Sequence, residues 1–185
     1  MNRKLKTVLI DILFVIVCVV LAYGVSNYLF FTIPVSGPSM NNTLYDGDKL
    51  LVYKRGEYRF GDVVIFNTHK TDGNGNERYY VKRIIGLPGD TIEIRREADG
   101  VFYVYRNGEK LIEPYLHPEN LMNEERAPVT VPEGKFYYLG DNRGESSDSR
   151  NGELGSTDSI LGRVLLRYRI GNGEFDIEAI KRIKS

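Results

Sequence analysis

The chain begins with one long apolar run and continues as short apolar stretches separated by polar ones. Residues 8–31 (VLIDILFVIVCVVLAYGVSNYLFF) are apolar apart from Asp11, Ser26 and Asn27. About 20 residues of this kind are enough to cross the hydrocarbon core of a bilayer as an α-helix. The pattern therefore predicts a transmembrane anchor over residues 8–31.

The residues that precede this run predict its orientation. Arg3, Lys4 and Lys6 place three positive charges in residues 1–7, and positive charges flanking a membrane span stay on the cytoplasmic side. We therefore expect a cytoplasmic amino terminus, a single pass through the cell membrane and an extracytoplasmic domain over residues 33–185.

A cleavable signal peptide is the alternative interpretation of the same run. The triplet Ala22-Tyr23-Gly24 has the small-x-small form of a cleavage site. A secretory apolar core, however, is typically only about 7–15 residues long, and apolar character resumes after Gly24 through Phe31. An uncleaved anchor fits this pattern better.

From Ile33 onward, short apolar runs alternate with clusters of glycine, asparagine, aspartate and proline, which is typical of strands joined by turns. The fold class predicted from this pattern is mainly β. The predicted strands are Lys49–Tyr53, Asp62–Asn67, Tyr79–Ile85, Thr91–Arg95, Val101–Arg106, Lys135–Gly140 and Ile160–Ile170.

Three other segments have their own predictions. The stretch Thr68–Arg78 has no apolar residue and is expected to be a hairpin loop, and Arg106–Glu109 contains an Asn-Gly tight-turn signal. The segment Ile177–Ile183 is compatible with a short helix, ending in a basic tail that is expected to face water.

Composition narrows the classes of function. Lys and Arg number 25, as do Asp and Glu, so the chain has no net charge to attract nucleic acid. The single cysteine excludes an internal disulfide, and with only His69 and His117 besides, the chain offers few metal ligands. We therefore expect no metal and no nucleic-acid partner.

A serine and a lysine are the first candidate catalytic residues. Ser39 follows Gly37 and Pro38, which form a bend that can project its hydroxyl. Lys82 lies in an otherwise apolar and aromatic strand, where burial would disfavour its charged form and lower its pKa. The alternative is that Lys82 faces solvent and pairs with Glu77 or Glu93. Spacing alone leaves both interpretations open.

The search for a base that could activate Ser39 also leads to a lysine. His69 lies in the hydrophilic loop and His117 in a proline-flanked stretch, so neither is well placed as the base that a serine nucleophile needs. A lysine is the remaining option. The loop Gly140–Arg150 (GDNRGESSDSR) is dense in polar residues, a pattern that by itself indicates only exposure to water.

Five segments in this order resemble the motifs of bacterial type I signal peptidases. They are SGPSMNNTL (36–44), GDKLLVYK (47–54), FGDVVIF (60–66), YVKRIIGLPGDTIE (80–93) and GDNRGESSDSR (140–150). The resemblance covers nearly the whole extracytoplasmic part, and the short chain with one anchor is similar to the Gram-positive form of the family.

The resemblance implies a membrane-bound serine/lysine endopeptidase without a cofactor, which removes signal peptides from exported preproteins at small-x-small sites. Its implied fold is a coiled, largely antiparallel β structure. It implies that Ser39 is the nucleophile, Lys82 the general base, and Ser146 the hydroxyl that orients the lysine amine. The implied polar framework is Arg83, Asp141, Arg143, Asp148, Ser149 and Arg150. The implied lining of the pocket for a small substrate side chain is Met40, Leu44, Tyr80 and Val81.

Three positions depart from the family pattern. Asn42 replaces a proline and is expected to loosen the turn after the nucleophile. Gly37 replaces a serine hydroxyl that other members use for the oxyanion, so the backbone N–H of Ser39 is expected to take that role. The aromatic-glycine pair that normally follows Arg150 is missing, which predicts weaker support behind the site.

These departures raise a second class of function, namely a signal-peptidase-like accessory protein that binds surface-protein or pilus-assembly substrates without cutting them. Retention of Ser39, Lys82 and Ser146 favours the peptidase. Self-cleaving repressors also use a serine/lysine pair, but they carry an amino-terminal DNA-binding domain where this chain has its apolar run. Exported preproteins and membrane lipid are the expected partners.

Overall fold

The structure, a computed structural model, describes residues 3–116, 122–171 and 174–183. Within these ranges the chain forms one α-helix, α1 (Arg3–Leu29), and twelve β-strands. The strands are β1 (Phe30–Pro34), β2 (Lys49–Tyr53), β3 (Val63–Thr71), β4 (Glu77–Gly86), β5 (Thr91–Arg96), β6 (Phe102–Arg106), β7 (Glu109–Lys110), β8 (Arg126–Thr130), β9 (Lys135–Leu139), β10 (Gly155–Ser156), β11 (Ile160–Gly171) and β12 (Glu174–Ala179). The predicted mainly β fold behind an amino-terminal helix is confirmed.

The strands form two antiparallel sheets. The larger sheet has the order β1-β2-β11-β3-β4-β9-β10, with β12 paired to β11. The smaller sheet has the order β7-β6-β5-β8. Apolar side chains that alternate along the strands meet between the sheets, where burying them stabilises the fold. Buried members of this shared core are Ile85, Ile92, Ile94, Val104 and Leu139.

The pairing of β4 leaves part of the strand open. β3 pairs with β4 from Glu77 to Arg83, but β9 pairs only with the second half, from Arg83 to Gly86. Within the described residues, the first half of β4 therefore has one edge without a strand partner. Unpaired edges of this kind can accept an additional extended chain.

The junction between α1 and the larger sheet differs from the prediction. The helix ends at Leu29, and Phe30 and Phe31, predicted to belong to the anchor, start β1 instead and pair with β2. Lys54 fixes the end of the helix, since its backbone N–H donates to the Leu29 carbonyl at 2.8 Å and its Nζ to the Asn27 carbonyl at 2.7 Å. The stretch Lys6–Leu29 is long and apolar enough to cross a membrane.

Two other predictions differ from the structure. The predicted hairpin is present, but its loop is shorter than predicted, because β3 continues to Thr71 and β4 begins at Glu77. Antiparallel pairing needs only backbone groups, so it extends into a segment without apolar residues. The predicted helix over Ile177–Ile183 is wrong. Its first part belongs to β12, which pairs with β11, and Ile183 is buried instead of trailing into water.

Candidate active site

The turn that carries Ser39 is built on residues with positive φ. Gly37 has a φ of 88° and Asn42 a φ of 82°, values that only glycine and, less readily, asparagine adopt without strain. The Asn41 N–H donates to the Pro38 carbonyl at 2.9 Å, which closes the turn around the serine. Asn42 therefore has the conformation that this turn needs, which proline cannot adopt. The expectation that Asn42 loosens the turn stays a prediction.

Lys82 is buried and contacts Ser39. Its side chain is 3% exposed, and Nζ donates a hydrogen bond to Ser39 Oγ at 2.5 Å. The amine also lies 5.1 Å from the centre of the Tyr80 ring. Because Lys82 is buried, the alternative in which it faces solvent and pairs with Glu77 is wrong. Glu77 accepts a hydrogen bond from the Tyr79 hydroxyl instead.

The surroundings of Lys82 lower its pKa to about 8. Burial is the main cause, because it penalises the ammonium relative to the neutral amine. Asp148 and Asp141 act in the opposite direction and favour the charged form, and Arg150 disfavours it. The result is an amine that loses its proton at a mildly alkaline pH and can then act as a base.

Arg83, the residue after Lys82, forms a buried ion pair with Asp141. Nε and Nη2 donate to the two carboxylate oxygens at 2.9 and 2.6 Å, and both side chains are at most 2% exposed. Paired donors in this geometry fix orientation as well as charge. Asp141 passes this constraint to the turn around Ser39, since its carboxylate accepts from the Thr43 hydroxyl and its N–H donates to Met40 Sδ at 3.4 Å.

The next residue, Asn142, holds the turn around Ser39 directly. Its N–H donates to the Ser39 carbonyl at 3.1 Å, and its Nδ2 donates to the Pro38 carbonyl at 3.1 Å. Sequence reasoning missed Asn142. The loop Gly140–Arg150 therefore contacts the turn around Ser39 through several hydrogen bonds and does not simply face water.

A second ion pair supports the end of this loop. Arg150 Nε and Nη2 donate to Asp148 at 2.8 and 3.0 Å, and Asp148 also accepts from the Gly140 N–H at 3.1 Å. Ser149 Oγ accepts from the Tyr138 N–H at 3.0 Å. The missing aromatic-glycine pair is replaced by a 3-10 turn that ends at Gly152, whose φ is 87°.

Arg143 is held by residues that sequence reasoning missed. Its side chain is fully buried and donates to Glu113, at 3.1 Å through Nη1, and to the Tyr115 hydroxyl at 3.2 Å. Nε donates to the Gly140 carbonyl at 3.0 Å. No sequence signal connects positions 30 residues apart, so a buried partner of this kind can be found only from the fold.

Ser146 does not make the predicted bond with the lysine. Its hydroxyl oxygen is buried and has no hydrogen-bond partner within the described part of the chain. It lies beside Gly140, in the space that a β-carbon at that position would need, and the Ser39 carbonyl oxygen borders the same space. The structure therefore brings Ser146 close to the backbone of Ser39 but does not bond it to Lys82.

A groove of about 600 Å³ runs along the open edge of β4 and ends at the Ser39 and Lys82 side chains. Of the predicted pocket residues, Tyr80 and Val81 line it. Met40 and Leu44 do not line it. They are fully buried in the core of the larger sheet. The prediction that they line the groove is therefore wrong.

Two further features bear on the chemistry of the site. Among the described residues, the backbone N–H of Ser39 has no hydrogen-bond partner and remains available to a developing oxyanion. No group of three or more metal-ligating side chains was found in the same ranges. His69 is exposed, and His117 lies outside the described residues.

Comparison with known proteins gives a consistent result. The family model described as "Signal peptidase, peptidase S26" matches residues 7–169. Signal peptidase I of Bacillus licheniformis is 44% identical over 151 residues, covering 75% of this chain and 75% of the relative. Signal peptidase IB of Staphylococcus aureus (strain COL) is 33% identical over 183 residues, covering 88% and 90%. The crystal structure of a signal peptidase I from Enterococcus faecalis V583 aligns with 58% of this chain and 97% of its own, with 28% identity and a TM-score of 0.45.

Proposed function

The chain belongs to the peptidase S26 family of signal peptidases, and we propose that it cleaves exported preproteins with Ser39 as the nucleophile and Lys82 as the general base. It is a type I signal peptidase, a serine endopeptidase. The observation that carries the dyad is the 2.5 Å contact between Lys82 Nζ and Ser39 Oγ, two side chains that are 43 positions apart.

The proposed chemistry needs only these two side chains, one N–H and water. Neutral Lys82 accepts the Ser39 hydroxyl proton while Oγ attacks the substrate carbonyl carbon, and the Ser39 N–H donates to the resulting oxyanion. The lysine ammonium then protonates the amine of the departing chain, which leaves an acyl-enzyme. A water molecule, deprotonated by Lys82, hydrolyses this ester and releases the signal peptide.

The framework residues are proposed to keep these groups in place. Asn142 fixes the Ser39 carbonyl, and Asp141 orients the turn that follows it. Ser146 is proposed to orient the lysine amine, because its buried hydroxyl is uncommitted and a rotation of the side chain would let it accept from the ammonium. Arg143 and Arg150 hold the loop on which all three residues lie.

Substrate is proposed to bind as an added strand along the open edge of β4. The groove follows that edge, and an extended peptide there would form backbone hydrogen bonds while alternate side chains point into pockets. The apolar lining near the dyad includes Val35, Ile65 and Val81, which leave room for small side chains. A preference for small-x-small sites such as Ala-x-Ala follows from this arrangement.

The apolar helix is proposed to anchor the enzyme in the cell membrane with its amino terminus in the cytoplasm. Lys6–Leu29 has the length of a span, and the basic residues precede it. Protease added outside intact cells should then digest the domain after Ile33, whereas protection would contradict the orientation. Val17→Arg should impair insertion, because a charge at mid-membrane costs about 2.5–3.5 kcal/mol.

The dyad is tested by cleavage of a preprotein with an Ala-x-Ala site by the purified full chain in detergent. Ser39→Ala and Lys82→Ala should each abolish cleavage, whereas the matched control Lys135→Ala, which changes an exposed strand lysine, should not. His69→Ala and His117→Ala should also remain active. A protein that binds the preprotein but never cuts it would instead be the accessory type.

A further inference from the structure

The last described residues of the chain return to the region behind the dyad. We call residues 180–183, which follow β12, the C-terminal strap. Ile180 N–H donates to the Leu165 carbonyl at 2.9 Å, and Arg182 pairs with buried Asp62 at 2.6 and 3.1 Å. Ile183 is 9% exposed, and its backbone packs against Gly61 so closely that a side chain there would collide with it.

The strap supplies one of the acceptors that Arg83 needs. A guanidinium has five N–H donors and must find acceptors for them when it is buried. Asp141 and the Thr43 hydroxyl accept from Nε and Nη2, and Nη1 donates to the carbonyls of Gly61 at 3.0 Å and Lys181 at 3.1 Å. Without the strap, one N–H donor of Arg83 would have no acceptor among the described residues.

The contacts of Arg83 connect the strap, through Asp141, to the turn around Ser39. Arg83 is bonded to Asp141, and the Asp141 carboxylate accepts from Thr43, four residues after Ser39. Arg83 is also the strand neighbour of Lys82. A shift of its guanidinium would therefore displace both halves of the dyad relative to each other.

The strap combines these hydrogen bonds with packing, because Ile183 belongs to the core shared by the two sheets and Ile180 packs against the core of the larger sheet. It also borders a cavity of about 330 Å³, which is lined by Asn42, Thr43, Arg83 and Tyr115 and by residues 178–183. The substrate groove is lined by none of the strap residues. The strap can therefore affect the reacting groups while leaving the substrate groove unchanged.

We propose that the C-terminal strap is a positioning element of the active site, which acts through Arg83 and Asp141 on the dyad. This inference rests on the proposed serine/lysine function. It assigns to the chain's final segment a role in the rate of the chemical step and none in substrate affinity.

The test compares two shortened chains with the full chain in detergent. The chain that ends after Ile180 lacks the Lys181 carbonyl and the Arg182 pair, and the chain that ends after Ile183 keeps both. We expect kcat to fall at least about tenfold in the first, with KM within about twofold, and to be unchanged in the second. A synthetic peptide of residues 181–185 should restore kcat of the first chain in a saturable way.

A point variant provides an independent measurement with the chain length unchanged. Arg182→Gln should lower kcat in the same direction, and Arg95→Gln, which breaks an exposed arginine–glutamate pair on the smaller sheet, should not. Full kcat in the chain ending after Ile180 would overturn the inference, and so would a rise in KM equal to the loss of kcat/KM. If the full chain itself does not cleave, the proposed function fails first.

Discussion

The main-chain oxygen of Ser39 lies so close to Gly140 that a β-carbon at position 140 would collide with it and with the Ser146 side chain. The backbone of Gly140 is not in the left-handed region, so the demand for glycine here is one of space alone. Two loops that are about 100 positions apart are thereby packed too closely for a residue larger than glycine at position 140.

This contact predicts that Gly140→Ala displaces the nucleophile. A shift of about 1 Å in a reacting group can cost on the order of 100-fold in rate, so kcat should fall by about that factor. Steady-state kinetics on an Ala-x-Ala preprotein would measure it. Gly73→Ala is the matched control, because a β-carbon there meets no atom. Equal kcat in the two variants would show that the loops can separate without consequence.

The lowered pKa of Lys82 predicts the pH dependence of cleavage. Only the neutral amine can accept the Ser39 proton, so kcat/KM should rise with pH through about 8 and reach a plateau above it. Lys82→Arg should be inactive over the whole range, since a guanidinium keeps its proton at any practical pH. A profile that falls between pH 7 and 9 would contradict Lys82 as the base.

The burial of Lys82 also predicts that its charged amine lowers the free energy of unfolding below pH 8. Lowering the pKa of Lys82 from 10.5 to about 8 corresponds to roughly 3 kcal/mol of destabilisation at any pH below 8, where the buried amine is charged. Lys82→Met should therefore unfold at a higher denaturant concentration than the parent at pH 7.

The sign of this effect can be checked by raising the pH. Between about 8 and 10.5 the native parent has lost the Lys82 proton while the unfolded chain still binds it, so the parent gains stability and the advantage of Lys82→Met shrinks. Denaturant titrations of both proteins at pH 7 and pH 9.5 would measure the two gaps. A gap that widens with pH would contradict the assignment of Lys82 as buried and charged at neutral pH.

The conformation of Asn42 predicts the opposite of what the family pattern suggests. Proline, the usual residue of the family, is locked near a φ of −65° and cannot adopt the 82° found here. Asn42→Pro should therefore distort the turn around Ser39 and lower kcat by at least about tenfold. Asn42→Gly should stay active, because glycine adopts positive φ readily. An Asn42→Pro enzyme with full activity would show that this turn can exist in a second form.

The strands were largely predictable from sequence because they have a clear apolar period. The prediction of β2 matches its observed bounds, Lys49–Tyr53. The miss at β12 had a usable signal, since Phe175 and Ile177 alternate with Asp176 and Glu178 in a strand period. β8 was missed because its segment, Arg126–Thr130, contains Pro128 and is mostly exposed. Such a strand forms because it pairs with β5, and its own composition does not indicate a strand.

The candidate site was predictable only as far as its motifs extend. The burial of Lys82 could not be decided by spacing, because it depends on how β4 is covered by other strands. Two acceptors of buried arginines, namely Glu113 for Arg143 and the Lys181 carbonyl for Arg83, were also not predicted. A buried arginine must find acceptors, but its sequence environment does not indicate which distant segment supplies them.

The direct continuation of α1 into β1 limits the distance between the end of the helix and Ser39. Ten residues, Phe30 to Ser39, join the end of the helix to the nucleophile, and even fully extended they span at most about 35 Å. Half of them are tied to β2, and Lys54 clips the end of the helix to the same sheet. With the helix in the bilayer as proposed, this link sets an upper limit on the height above the lipid at which the enzyme can cut. A preprotein whose cleavage site emerges farther out would be spared however small its side chains.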